Sequence, residues 1–464
     1  MANVMDYVDW RGDIPLSVSP FNEVDNLILC LISFIDLNGI LPERACDGVI
    51  TLEQAVARYL EAYPDDETPL GLIVPPQTRP LMRRLAESER FRHMRMRAFV
   101  DHIDENAQKQ LAAMTFELDE KDIFVVFRGT DDTLVGWKEN FNMSFLTAIP
   151  AQLEAVAYLN SVASDLPDRR ILLGGHSKGG NLAIYAAIHA SDEVKSRIVQ
   201  VYSNDGPGYR REVVDSPEYQ AMHERIINII PQSSVVGRML EHGERYTPVM
   251  SSAQGLWQHD GFSWEVKGTS FVTAPSLSQD SEMIDQSLKK WTADMSDEQL
   301  EQLVDSMYRI LTATNAKTLS ELTRDRNWFW HLLSSSDPQS RKTVLTALSQ
   351  LTGEAGRLWL ERVLPALIKS KTVQTSSKAI ADSEASDKAL ISEPSEATSD
   401  ASENETVPQN GSAERSKDPI DRVLTHIIAK KHEKAKNGMQ GKSKCASCPK
   451  RESCPKLAAR RQDK

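Results

Sequence analysis

The run LLGGHSKGGNLAIYAA, residues 172–187, leaves this chain few ways to fold. An apolar segment, ILLGG, precedes Gly175-His176-Ser177-Lys178-Gly179, and GNLAIYAAIHA follows with apolar residues at helical spacing. Strand, tight turn and helix form the context in which a G-x-S-x-G pattern carries chemical meaning. A serine exposed on such a turn needs flanking glycines, because side chains there collide with neighbouring backbone. The following helix N-terminus also stabilises a nearby oxyanion. Ser177 is therefore the candidate nucleophile, and a Gly-rich structural turn that happens to hold a serine is the alternative.

The surrounding chain alternates helix-like and strand-like segments, as one large α/β domain does. SPFNEVDNLILCLISFIDLNG reads as a capped helix closed by Gly39, and TLEQAVARYLEAY as a helix opening at Thr51 with Glu53 close behind. AAMTFEL and DIFVVFRG read as a hairpin joined by the polar DEKD. RRILLGG and SRIVQVYSN, with a helix between them, read as neighbouring strands of a parallel sheet. The expected fold is α/β, a mostly parallel sheet flanked by helices over residues 1–295, followed by a helical extension at 296–370.

Beyond this, residues 371–416 are rich in Ser, Glu, Asp, Thr and Ala and lack aromatics, which reads as a disordered acidic linker. Residues 417–464 carry 14 Lys and Arg against 5 Asp and Glu. This tail holds Cys445, Cys448 and Cys454 in a C-x2-C-x5-C arrangement. The close pair is a metal-ligand spacing suited to zinc or an iron–sulfur cluster, with His432, a partner chain or an exogenous group as fourth ligand. Incidental cysteines in a basic tail are the plainer alternative. The helix-like DPIDRVLTHIIAKKHEKAK has an apolar face and a basic end, which suits a protein partner, an anionic membrane surface, nucleic acid or plain solvation.

The net charge of −12 argues against general nucleic-acid binding by the whole chain. The N-terminus has no basic stretch followed by an apolar core, and the apolar run at 27–37 contains Asp36 and is too short to span a bilayer. Cys30 and Cys46 are the only other cysteines, a distribution that fits a reduced, cytoplasmic compartment.

An acyl-transfer site needs a second oxyanion donor besides the amide after the nucleophile. Arg128-Gly129-Thr130, which ends an apolar strand and enters a polar loop, suits that duty; a strand-ending turn with a surface arginine is the alternative. In FRGT followed by a downstream Trp and then GHSKGG, the chain resembles the class-3 (fungal-type) lipases of the α/β-hydrolase superfamily. With DYVDWRGD, FNEVDNLILCLISFIDL, NDGPGY and QHDGFSW it is similar, more closely, to the bacterial Mbeg-like proteins, regarded as lipase-like hydrolases without a settled substrate. The resemblance covers most of residues 1–270 and none of the tail.

Carried over position by position, the resemblance makes Ser177 the nucleophile, Thr130 the oxyanion-loop hydroxyl residue, and the Thr130 and Lys178 amides the oxyanion hole. Two positions depart from the lipase pattern. Lys178 replaces an apolar residue, its side chain either facing an anionic substrate or solvated, and Asn140 stands where the pattern has an acid. No cofactor is required for such catalysis.

The superfamily order is nucleophile, acid, histidine. His176, beside the serine, reads as structural and core-facing, His189 as packing or surface, and His223 and His242 as solvated. His259, in a late turn between Trp257, Phe262 and Trp264, is the candidate base. The strand RIINII is followed by no carboxylate until Glu241, so Asp205, directly after IVQVYSN, is the first choice of acid and Glu241 the second. Asp205 as a turn residue capping its own DGPG backbone is the alternative, and Asp260 is expected to point away from its neighbour His259. The resulting expectation is a serine hydrolase acting on an acyl-ester or lipid-like substrate, with no clear amphipathic lid and residues 132–150 the stretch open to that role. The alternative is an inactive hydrolase-fold module whose basic tail recruits partners.

Overall fold

The computed structural model describes residues 1–64, 69–324 and 328–350. All described residues belong to one compact unit. The acidic segment 371–416, the basic tail and its candidate ligands Cys445, Cys448, Cys454 and His432 lie outside the described residues.

Eight strands form one sheet in chain order: β1 (Ile50–Thr51), β2 (Arg95–Asp104), β3 (Lys109–Glu117), β4 (Asp122–Phe127), β5 (Arg170–His176), β6 (Ile198–Asn204), β7 (Ile226–Pro231) and β8 (Tyr246–Val249). The first three pairings are antiparallel and the last four parallel. Connection length decides which: a short polar turn joins β3 to β4, whereas β5 and β6 are separated by the helices Lys178–His189 and Asp192–Arg197.

The central strands are buried on both faces, and period-two alternation sorts their side chains between two cores. On β4, Phe124 and Val126 join a core with Leu27, Tyr202 and Trp264, while Ile123, Val125 and Phe127 join another with Leu159, Leu173 and Ala183. Helix Glu23–Ile32 covers the first face, and helices Pro150–Asp165 and Lys178–His189 cover the second.

The expected hairpin and the βαβ unit around Ser177 are both present. Local structure departs from expectation in three places. The helix opened by Asn22 stops at Ile32 rather than running to Gly39; the Ser33 hydroxyl donates to the Cys30 carbonyl at 2.6 Å and competes with the helical ladder. The helix at Thr51 closes its capping box with Gln54, the residue at the required spacing, and not with Glu53. Strand β2 is hidden in sequence because Arg95, Arg97, Asp101 and His102 break its apolar signal and a bulge shifts its register between Arg97 and Val100.

After helix Gln279–Ala293, the extension comprises helices Asp297–Thr312, Leu319–Leu322, Trp328–Ser335 and Pro338–Gln350, its residues 351–370 lying outside the described residues. It is tied to helix Leu134–Asn142, where Lys138 Nζ lies 2.9 Å from Asp305 Oδ1 and 4.8 Å from the Tyr308 ring centroid. Leu134, Val135, Lys138, Glu139 and Asn142 of that helix are buried, so this segment is an integral part of the core and not a loose lid. Among the described residues, no helix is long and apolar enough to cross a membrane.

Candidate active site

Ser177 sits between β5 and helix Lys178–His189 with φ 59° and ψ −131°, a backbone conformation that non-glycine residues rarely adopt. Its N–H donates to the Asn204 carbonyl at 2.9 Å and its carbonyl accepts from Gly180 N–H at 3.0 Å, so both sides of the turn are clamped. The flanking glycines follow from the close approach of backbone. A Cβ on Gly175 would lie 2.0 Å from the Gly179 carbonyl carbon, and one on Gly179 would lie 2.0 Å from the Phe127 carbonyl oxygen. No side chain fits at either place, which is the physical content of the G-x-S-x-G pattern here.

The loop after β4 runs beside this turn. A Cβ on Gly129 would lie 2.7 Å from the His176 carbonyl oxygen and 3.3 Å from Ser177 Cβ. Among the described residues, the Thr130 and Lys178 backbone N–H groups donate to no protein acceptor. Thr130 Oγ1 accepts a hydrogen bond from Asn140 Nδ2, so Asn140 holds the loop as a donor. Arg128 is buried, not a surface arginine, and makes a bidentate pair with Asp101 on β2 at 2.7 and 2.8 Å.

The Lys178 side chain contradicts both expectations for it. It is 1% exposed and points into the protein, where Nζ donates to the Gln110 carbonyl at 2.6 Å, to Gln110 Oε1 at 2.7 Å and to Glu139 Oε2 at 2.9 Å. Glu139 is itself fully buried and accepts from the Gln110 N–H at 3.0 Å and the Ala151 N–H at 2.8 Å. A buried ammonium is tolerable only with such a complete set of acceptors. The network pins Lys178, the first residue of the helix that follows the Ser177 turn.

His259 ends the short 3-10 helix Gly255–His259 and stands 27% exposed, with Nδ1 2.6 Å from Oδ2 of the fully buried Asp205. A carboxylate oxygen facing Nδ1 accepts its N–H, which makes Nδ1 the donor in this contact. Asp205 has φ 52° directly after β6, and its N–H donates to the Ile229 carbonyl at 2.8 Å. Its other carboxylate oxygen accepts from the Ser234 hydroxyl and from Gly237 N–H at 3.1 Å. The carboxylate thus serves His259 and the turn after β7, not its own DGPG backbone.

His176 is buried, as expected, and it also backs the histidine. Its Nε2 donates to the His259 carbonyl at 2.7 Å and the two rings lie 4.6 Å apart, tilted by 33°. Burial, and then the neighbouring His259, push the His176 pKa down to about 3, so it is neutral near pH 7. Asp260 turns away from His259, accepting from Phe262 N–H at 3.0 Å, and burial raises its carboxyl to about 6.

Two other expectations are corrected. Glu241 is not brought to His259; it pairs with Arg211 at 3.2 Å and Lys289 at 3.6 Å, because its backbone is bridged to Tyr209 on a basic flank. His242 is not solvated but 3% exposed, 3.2 Å from Glu244 and 3.1 Å from Asn228 Nδ2. His189 packs on the Tyr185 ring at 4.3 Å, and His223 is a partly exposed residue beside Glu224. Gln110, Glu139, Ser234 and Gly237 escaped sequence reasoning because no local spacing marks residues that meet only in the fold. Among the described residues, no cluster of His, Cys, Asp and Glu is arranged to hold a metal ion.

Residues 85–309 match the family model described as Mbeg1-like, and over this segment the resemblance to Mbeg-like proteins holds. No curated protein matches the chain in sequence. Solved structures similar to it include the native propeptide complex of Rhizomucor miehei lipase, 16% identical with a TM-score of 0.27, covering 34% of this chain and 57% of that one. Another, reported as M37 lipase, is 12% identical with a TM-score of 0.27 and covers 46% of this chain and 68% of that one. The chain therefore spans a little over half the length of the Rhizomucor miehei lipase chain.

Proposed function

We propose that the protein is a serine hydrolase that cleaves an acyl ester through a Ser177–His259–Asp205 triad. The observation that carries the reading is the 2.6 Å bond from His259 Nδ1 to buried Asp205, set against the strained turn of Ser177 by the bond from adjacent His176 to the His259 carbonyl. In the proposed reaction Ser177 Oγ attacks the ester carbon and its proton passes to His259 Nε2, while Asp205 stabilises the imidazolium and fixes its tautomer. The Thr130 and Lys178 N–H groups donate to the oxyanion. Collapse expels the alcohol, which takes the proton from His259, and water then releases the acid from the acyl-enzyme by the same path in reverse.

Trp257, two residues before His259, is 47% exposed and offers an apolar wall to an acyl chain. With the Lys178 ammonium buried against Glu139, no anionic substrate is read from that side chain. Asp205, directly after β6, offers His259 a carboxylate, which supports the hydrolase reading over an inactive module.

Hydrolysis of p-nitrophenyl butyrate tests the reading. Wild-type protein is expected to turn over the ester, and folded Ser177→Ala and His259→Ala variants to lose activity by at least about 10³-fold. Equal activity in a folded Ser177→Ala variant would refute the assignment.

A further inference from the structure

We infer that residues 317–320 of the helical extension form a strap that positions the oxyanion-side loop Gly129–Thr133, with Asp132 as the positioning residue. This rests on the serine-hydrolase reading; the strap lies outside the segment 85–309 matched by the family model, whereas Asp132 and its loop lie within it. Leu134 N–H donates to the Lys317 carbonyl at 2.8 Å and Leu319 N–H to the Asp132 carbonyl at 2.9 Å, with Thr133 and Thr318 bridged between them. Ser320 N–H adds a bond to Asp132 Oδ2 at 3.0 Å. The loop's end thereby becomes an edge to which the extension adds a short antiparallel partner.

On its other side, Asp132 Oδ1 accepts from Leu72 N–H at 2.8 Å. The preceding Gly71 has φ +148°, and a Cβ there would lie 2.8 Å from Asp132 Cβ, so the approach requires glycine. At the loop's start, Arg128 is fixed to Asp101. The Thr130 amide is therefore held between two anchors, Arg128 and Asp132, and only the second depends on the extension. The Lys138–Asp305 ion pair ties the extension to the helix whose Asn140 holds the Thr130 hydroxyl and whose Glu139 holds Lys178. Both proposed oxyanion donors are braced from the same side.

The strap's contacts are concentrated on this loop and not on the core. None of Lys317, Thr318, Leu319 and Ser320 belongs to either hydrophobic cluster, and none is buried. A segment that adds little buried apolar surface while making several directed bonds to one loop fixes geometry more than it adds stability. An oxyanion donor acts through position, and displacement by about 1 Å costs up to about 10²-fold in rate.

Leu319→Pro in the full chain is a surgical test. Leu319 is the first residue of helix Leu319–Leu322, where proline is favoured, and Thr318 before it is extended, with φ −128° and ψ 157°. The substitution removes one donor to the loop and leaves the helix intact. Initial rates with p-nitrophenyl butyrate and Ser177 labelling by a fluorophosphonate are measured beside thermal unfolding. The expected result is kcat and labelling rate lower by about 10- to 100-fold, with KM within about twofold and little change in melting temperature. Asp132→Ala is expected to show the same kcat-selective loss, and Asp132→Asn, which keeps one carbonyl oxygen, to restore part of it. Wild-type rates in folded Leu319→Pro and Asp132→Ala would overturn the strap while leaving the hydrolase reading intact. Absence of Ser177 labelling in wild-type protein would overturn both.

Discussion

Replacing Glu139 by leucine tests whether Lys178 is an interior residue or part of the substrate surface. The carboxylate is fully buried, the ammonium it faces is 1% exposed, and they are 2.9 Å apart. Removing one partner of such a pair leaves an uncompensated buried charge, at a cost of about 3–5 kcal/mol. The Gln110 and Ala151 N–H groups also lose their acceptor, and each orphaned donor costs about 1–3 kcal/mol when counted alone. These costs overlap, because Lys178 keeps two oxygens of Gln110, so a net loss of about 4 kcal/mol is the working figure. Urea unfolding followed by tryptophan fluorescence reads it as a lower midpoint at unchanged slope. Lys178→Met alone is expected to cost a similar amount, and the double variant less than the sum, with a coupling of about 1–3 kcal/mol. A solvated lysine predicts changes within about 0.5 kcal/mol. That smaller value for Lys178→Met would refute the buried-pair argument and return the ammonium to the surface.

Asp205→Asn preserves shape but presents the wrong partner to His259 Nδ1, so kcat on p-nitrophenyl butyrate is expected to fall by about 10⁴-fold, whereas Glu241→Ala stays within about threefold of wild type. A reversal of that order would exchange the two acids. Acid stability carries the mark of His176: its folded pKa of about 3 lies below the ordinary 6.5, so the unfolded chain binds the proton first and stability falls as pH drops from about 6.5 towards 3. Asp260, raised to about 6 from 3.8, acts oppositely, gaining stability as pH falls through 6 towards 3.8. Unfolding free energies at several pH values are expected to show a shallower acid loss in His176→Asn and a steeper one in Asp260→Asn; identical profiles would contradict the assigned environments.

How much the sequence disclosed depends on how local each signal is. The strand, elbow and helix around Ser177 were legible because the glycine requirement is imposed within five residues, and the hairpin and parallel unit because apolar runs and connection lengths lie in contiguous text. The pairing of Asp205 with His259 was reached from chain order and from the absence of a carboxylate after RIINII, and the two groups do meet. The roles of Lys178, Glu241 and His242 were misjudged for one reason. Whether a charged side chain is solvated depends on residues distant in sequence: Gln110 and Glu139 for Lys178, Arg211 and Lys289 for Glu241, and Asn228 for His242. Strand β2 was missed because its charged residues pair across elements, Arg97 with Glu117 and Asp101 with Arg128, and so mask its alternation. The strap at 317–320 had no local signature, since its bonds to Asp132 and Leu134 are made largely by backbone atoms.

In the proposed triad Ser177 is a nucleophile activated by His259. Incubation of the full-length protein with a fluorophosphonate, followed by peptide mass spectrometry, reads it directly. One stoichiometric adduct is expected on the peptide containing Ser177, absent in Ser177→Ala and slowed by at least about 10³-fold in His259→Ala. An adduct that persists in Ser177→Ala, or wild-type protein that takes up no label while fully folded, would contradict it.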